Sequence, residues 1–118
     1  MADITQTLAV LAEVDGFIGA CIVDSTSGMM LGAEGGAHLE IAAAGNTEVI
    51  RAKQKTIKAL NLGDSIEDIL ISLGKQYHLL RPLSSKDGLF IYLQLDRAKA
   101  NLAMARHKLT EAEKALVV

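Results

Sequence analysis

The sequence predicts an α/β (α+β) domain: a five-stranded antiparallel sheet, strand order 2-1-5-4-3, with helices on both faces. Three observations predict it. Hydrophobic periodicity gives the element order α-β-β-α-β-β-β-α. The turns between the first two strands and between the last three are short enough to force hairpins, and hence antiparallel pairing. Two strands, the first and the fifth, are apolar on both faces, so they belong side by side in the middle of a sheet covered on both sides. The third strand is then an edge.

The first element reads as a helix. Ile4, Leu8, Leu11 and Ala12 share one face at the 3.6-residue period. Asp3 and Gln6 have the spacing of a capping box, and Gly16 ends the pattern. Phe17–Val23 is the first doubly apolar strand. Asp24-Ser25-Thr26-Ser27-Gly28 supplies turn formers, and Met29–Ala33 returns as the second strand. The Met29-Met30 pair reads as core filling, since Met suits irregular gaps.

After Gly35-Gly36 comes a long helix, about His38 to Leu60. Leu39, Ala43, Ile50 and Ile57 define its main apolar sector, flanked by Ala42, Val49 and Leu60. Glu40, Thr47, Arg51, Gln54, Lys55 and Lys58 fall on the other side. Between the two lies a third stripe of mostly small residues: Ile41, Gly45, Ala52, Thr56 and Ala59. One packing contact does not require so much apolar and small surface. Asn46 and Lys53 interrupt the main sector. Asn61 or Gly63 can end the helix in a left-handed conformation.

Ile66–Ser72 reads as the third strand, and Gly74-Lys75 as a turn. Gln76–Arg81 is the fourth strand, stopped by Pro82, which cannot donate to a ladder. Ser84–Gly88 is another strong turn, and Leu89–Leu95 is the second doubly apolar strand. Asp96 is placed to cap a final helix with the stripe Ala98, Leu102, Ala105, Leu109, Ala112 and Leu116.

Composition narrows function. The 118 residues make one domain, 1–118. Half are apolar, with two Phe, two Tyr and no Trp, so the core is aliphatic and poorly suited to stacking on bases. A net charge of −2 offers no basic field for nucleic acid. The run Arg51, Lys53, Lys55, Lys58 reads as a solvated helix face. No apolar stretch is long enough to cross a bilayer, and the N-terminus lacks the pattern of a signal peptide. A cytoplasmic location is the expectation.

No catalytic constellation is visible. Cys21 lies mid-strand and reads as a small buried hydrophobe. His38, His78 and His107 come from three elements with no paired ligand spacing. Gly32–Gly36 lacks a phosphate-loop pattern and reads as a strand exit and helix cap. Glu67 and Asp68, adjacent on a strand, point to opposite faces. Asp24 and Asp87 belong to turns. Neither an enzyme, a metal site nor a cofactor is expected.

What remains is surplus adhesive surface: the small-residue stripe of the long helix, and a third strand rich in Ile and Leu. Edge strands are normally blunted by Lys, Pro or a bulge, and this one carries only Glu67 and Asp68. A symmetric homodimer is the expectation, with Ile41, Ala52, Ala59, Ile69 and Ile71 as interface residues. A second reading, a small-ligand sensor, needs Asn46, Lys53 and Tyr77 to converge in a pocket between helix and sheet.

Gly16–Asp24, followed by Gly28 and an apolar return strand, resembles the opening hairpin of the Roadblock/dynein light-chain family. Asn101-Leu102-Ala103-Met104-Ala105-Arg106, with Leu109 following, resembles the family's C-terminal helix. The resemblance covers nearly the whole chain and implies a Roadblock fold, similar to longin and profilin-like domains. It also implies homo- or heterodimers whose middle helices pack together and whose third strands can join. Bacterial members of this kind are often associated with small Ras-like GTPases as regulators or scaffolds, without catalytic residues of their own. With no long tail at either end, family activities that need an extension are not expected. The family has no strict partner-contact motif from which to transfer residues.

Overall fold

The computed structural model describes residues 1–118. Its elements are α1 (Ile4–Leu11), β1 (Phe17–Asp24), β2 (Met29–Gly35), α2 (Leu39–Ala59), β3 (Ile69–Ser72), β4 (Gln76–Pro82), β5 (Leu89–Asp96) and α3 (Leu102–Ala115). The sheet runs β2-β1-β5-β4-β3, antiparallel throughout. The two doubly apolar strands do pair centrally, Cys21 opposite Tyr92 and Ile22 opposite Ile91.

Strand alternation sorts side chains onto two layers. Ala20, Ile22, Leu79, Ile91, Leu93 and Leu95 point to one face, where Leu8 and Leu11 of α1 and Ala105, Leu109 and Ala112 of α3 cover them. Cys21, Val23, Leu80, Phe90 and Tyr92 point to the other, where α2 alone covers them with Leu39, Ala43 and Ile50. One side of the sheet thus carries two helices and the other carries one.

Local chemistry sets the ends. Asp3 and Gln6 form the capping box: the Gln6 amide donates to Asp3 Oδ1 at 2.8 Å and the Asp3 amide to Gln6 Oε1 at 2.9 Å. The Asp24 carboxylate accepts from the Thr26 amide, which holds its pKa below the usual value and fixes the β1–β2 turn. Asn61 and Gly63 both take left-handed backbone after α2. At Gly32 a Cβ would sit 2.6 Å from Ile4 Cγ2, so the missing side chain lets α1 lie on β2.

Several expectations are corrected. β3 is four residues long, not seven: Glu67 and Asp68 precede it. Its ladder stops with Ile69 opposite Leu80; continuing it would bring Glu67 opposite Pro82, which has no N–H to give. α3 starts at Leu102, and its cap is Asn101, whose Oδ1 accepts from the Met104 amide at 3.1 Å. Asp96 instead closes a turn, accepting from the Ala98 amide, and Ala98 is exposed outside the helix. Met29 is 66% exposed, so only Met30 fills the core. Thr47 is buried rather than on the polar side of α2, its hydroxyl donating to the Ala43 carbonyl at 2.7 Å. Val49 and Leu60 are exposed rather than flanking a buried sector.

Candidate self-association surface

α2 is longer than the sheet it covers. Its buried residues, Leu39, Ala43, Thr47 and Ile50, all lie in its first twelve positions. Beyond Ile50 only Ile57 is part-buried. This explains Lys53: the helix has left the sheet there, and the lysine is solvated. Asn46 sits at the margin of the contact and donates from Nδ2 to the Ala42 carbonyl at 2.8 Å.

Opposite the buried face runs the small-residue stripe. Ile41 is 68% exposed, and Gly45, Ala52, Thr56 and Ala59 are exposed below it. Val49 (39%) and Leu60 (61%) border them. A Cβ built at Gly45 meets nothing within 4 Å, so this face is open. A surface helix normally turns polar side chains outward; this one turns out Ile, Val, Leu and small residues.

The second element of the surface is the free side of β3. Ile69 and Ile71 are part-buried against Leu80, Phe90 and Tyr92, so much of their area serves the chain's own core. What β3 offers outward is its unpaired backbone edge. Asp68, just before the strand, receives a bidentate grip from Arg106 of α3: Nε to Oδ2 at 2.9 Å and Nη2 to Oδ1 at 3.2 Å. That hydrogen-bonded partner holds the guanidinium pKa above its usual value. At the other end of the strand, Arg97 lies over the Tyr77 ring, 5.0 Å from its centroid, and donates to the Leu73 carbonyl at 3.0 Å. The edge is therefore anchored at both ends. The opposite edge, β2, is broken by a bulge opposite Ile22/Val23, a device that discourages further pairing. Of the interface residues expected from sequence, Ile41, Ala52 and Ala59 are thus exposed together on α2, while Ile69 and Ile71 lie on β3 with their side chains largely turned inward.

The three residues of the sensor reading do not converge. Asn46 lies on α2, Lys53 is solvated, and Tyr77 packs against the core on the opposite face of the sheet. A polar chain does cross the α2 face: Gln76 Oε1 to His78 Nε2 (2.8 Å), His78 Nδ1 to Tyr92 Oη (3.1 Å), and Gln94 Nε2 to Tyr92 Oη (2.9 Å). Burial pushes the His78 pKa down and the Tyr92 pKa up. Every member is satisfied inside the protein when His78 is neutral. Burial also pushes the Cys21 thiol up to about 12, leaving no thiolate at neutral pH. No group of three or more His, Cys, Asp or Glu side chains gathers to hold a metal ion.

Sequence reasoning missed Glu113. It is buried on α3 and accepts from Arg81 Nε (2.9 Å), the Ser84 amide (2.7 Å) and hydroxyl (2.8 Å), and the Ser85 amide (3.3 Å). Its position four residues after Leu109 and three before Leu116, inside the apolar stripe, was the available signal.

No family model matches the chain, and no curated protein matches it. Solved structures do. A Roadblock/LC7 domain from Streptomyces avermitilis superposes with a TM-score of 0.83 at 11% identity, covering 97% of this chain and 94% of that one. The gliding protein MglB from Thermus thermophilus gives 0.81 at 16% identity, covering 94% and 83%. An MglB with a tetrameric arrangement gives 0.81 at 16%, covering 94% and 82%. The chain has the Roadblock fold. At these identities the likeness fixes the Roadblock architecture and its strand order, and no helix is long and apolar enough to cross a membrane.

Proposed function

We propose that the chain is a non-enzymatic, homodimeric scaffold or regulator acting in the cytoplasm on a small Ras-like GTPase. The observation that carries the reading is the outward face of α2, where Ile41, Gly45, Val49, Ala52, Ala59 and Leu60 stand exposed, together with the anchored free edge of β3. Monomeric proteins seldom leave large contiguous apolar patches uncovered. A twofold contact covers the same patch on both copies at once. Ile41, Ala52 and Ala59 form the helical part of that interface, and the backbone of Ile69–Ser72, with Ile69 and Ile71, the sheet part. An MglB of this fold occurs in a tetrameric arrangement, which supports association between copies. The GTPase comes from the family resemblance, whose bacterial members work with such partners.

The test has two arms. Ala52→Glu places a carboxylate in the middle of the stripe; light scattering after size exclusion is expected to give dimer for the wild type and monomer for the variant. A purified Ras-like GTPase, in its GDP- and GTP-loaded forms, is then titrated with the wild-type chain. Nucleotide-dependent binding supports the regulator reading. A variant that stays dimeric counts against the interface, and equal or absent binding of both GTPase forms counts against the partner.

A further inference from the structure

We propose that His78 is a proton sensor for the edge of the sheet: as a neutral imidazole it holds β3 against β4, and when it takes up a proton the middle of β3 opens. The opening belongs to the single chain. Only its consequence, loss of the edge offered to a second copy, rests on the dimer reading above.

The placement of the imidazole carries the proposal. His78 stands on β4 directly opposite Ile71 of β3 and Gln94 of β5. β3 pairs on one side only, through the four residues Ile69–Ser72. Its ends are tied by the Arg106–Asp68 pair and by Arg97 on the Leu73 carbonyl. The middle is held by its ladder to β4 and by Ile69 and Ile71 packed in the layer of Leu80, Phe90 and Tyr92. The His78 ring lies in that layer, edge-to-face with Tyr92, the ring centroids 5.4 Å apart.

Hydrogen bonding fixes the charge of the ring. Gln76 Oε1 can only accept, so Nε2 carries the proton. Gln94 Nε2 already donates to the Tyr92 hydroxyl, which gives its own proton to His78 Nδ1. A second proton on the ring makes Nδ1 a donor facing that O–H, and the hydroxyl proton loses the acceptor it had. No carboxylate pairs with the ring to offset the new charge. β3 sets Ile71 against it, β1 contributes the Cys21 thiol opposite Tyr92, and α2 contributes Asn46 beside the Tyr92 hydroxyl; Lys53, on the same flank of α2, is solvated. At the Gln76 end, Lys75, Asp96 and Arg97 line a cleft, and Asp96 spends its carboxylate on the Ala98 amide. Burial pushes the ring's pKa down with no ion pair to oppose it. An imidazolium here is relieved by swinging out to water, past Ile71 and the least-supported strand of the sheet.

The test is amide hydrogen exchange on the full chain at about pH 7.5 and about pH 5.5, corrected for the intrinsic pH dependence of exchange. With an ordinary value of about 6.5 in the open state and a lower one in the closed state, opening should become about threefold to tenfold more frequent at the lower pH. The gain is expected at the amides that pair β3 with β4, with Ala20–Val23 of β1 unchanged. His78→Gln, its fold checked by melting, should lose the pH dependence. In wild type the His78 ring, followed by NMR, should titrate below its ordinary value and move up in Tyr92→Phe, which a ring with a merely structural role would not do. An ordinary ring titration, β3 exchange that ignores pH, or acceleration shared equally by β1 overturns the proposal. Exchange reads the opening in monomer and dimer alike, so failure here and failure of the dimer are separate results.

Discussion

Replacing Glu113 by Gln tests the frame that presents this surface. The carboxylate is 7% exposed and Arg81 13%. Four donors converge on it: Arg81 on Oε1, and the Ser84 amide, Ser84 hydroxyl and Ser85 amide on Oε2. Burial alone would raise its pKa; the hydrogen bonds from Ser84, Arg81 and Ser85 outweigh that and hold it below the ordinary value. Glutamine keeps the shape but has one oxygen. Its NH₂ must face either the guanidinium or the Ser84–Ser85 cluster, so a donor meets donors whichever way it turns. The expected cost is about 2–3 kcal/mol, and about 3–5 kcal/mol for Glu113→Ala, which strands the arginine. For a chain of this length each kcal/mol is worth roughly 4 °C, so Gln should lower the melting temperature by roughly 8–12 °C. The linkage has a definite sign. With the folded pKa below the unfolded one, this contribution is complete above an unfolded value of about 4.3 and is lost as pH falls through the lower folded value. The wild-type advantage in calorimetry should therefore shrink in acid. Glu113 lies on the α3 side, away from α2, so self-association below the melting point should be unchanged. A melting shift within about 1 °C, or an advantage constant down to low pH, would refute this role for the Glu113 carboxylate.

Two further outcomes follow from the packing. Burial lowers the His78 pKa, so its contribution to stability is complete above about 6.5 and is lost as pH falls through the folded value; urea midpoints of wild type should drop between pH 7.5 and 5, and His78→Gln should flatten that slope, whereas an identical slope in both contradicts the buried neutral imidazole. Gly32→Ala would press a Cβ to 2.6 Å from Ile4 Cγ2 and 3.2 Å from Leu8 Cδ1, so a loss of about 1–3 kcal/mol is expected, with faster amide exchange in α1; unchanged exchange means that the helix does not dock there.

The architecture was legible because it depends on local signals that agree. Short turns enforce hairpins, and Phe17–Val23 and Leu89–Leu95 can be satisfied only by cover on both faces, which orders the strands. What failed was decided by distant residues. The cap of α3 moved to Asn101 because Asp96 spends its carboxylate on a turn next to Gly16. Glu113 is buried only because the Ser84–Ser85 loop, some 29 residues earlier, folds over it. β3 is short because of Pro82 on its neighbour. The candidate surface follows the same division. The stripe of Ile41, Ala52 and Ala59 is a helical-wheel property and stands exposed as read. The inward packing of Ile69 and Ile71 depended on the strands paired beside β3, with Leu80 opposite Ile69, which no local pattern encodes.

The central claim is that the outer face of α2 and the edge of β3 are covered by a second copy. Sedimentation equilibrium of the unmodified chain from about 1 to 100 μM, spanning ordinary dimer affinities, measures this directly. The account predicts a species of twice the 12.5 kDa chain mass that dissociates on dilution; a single species of 12.5 kDa across the whole range contradicts it.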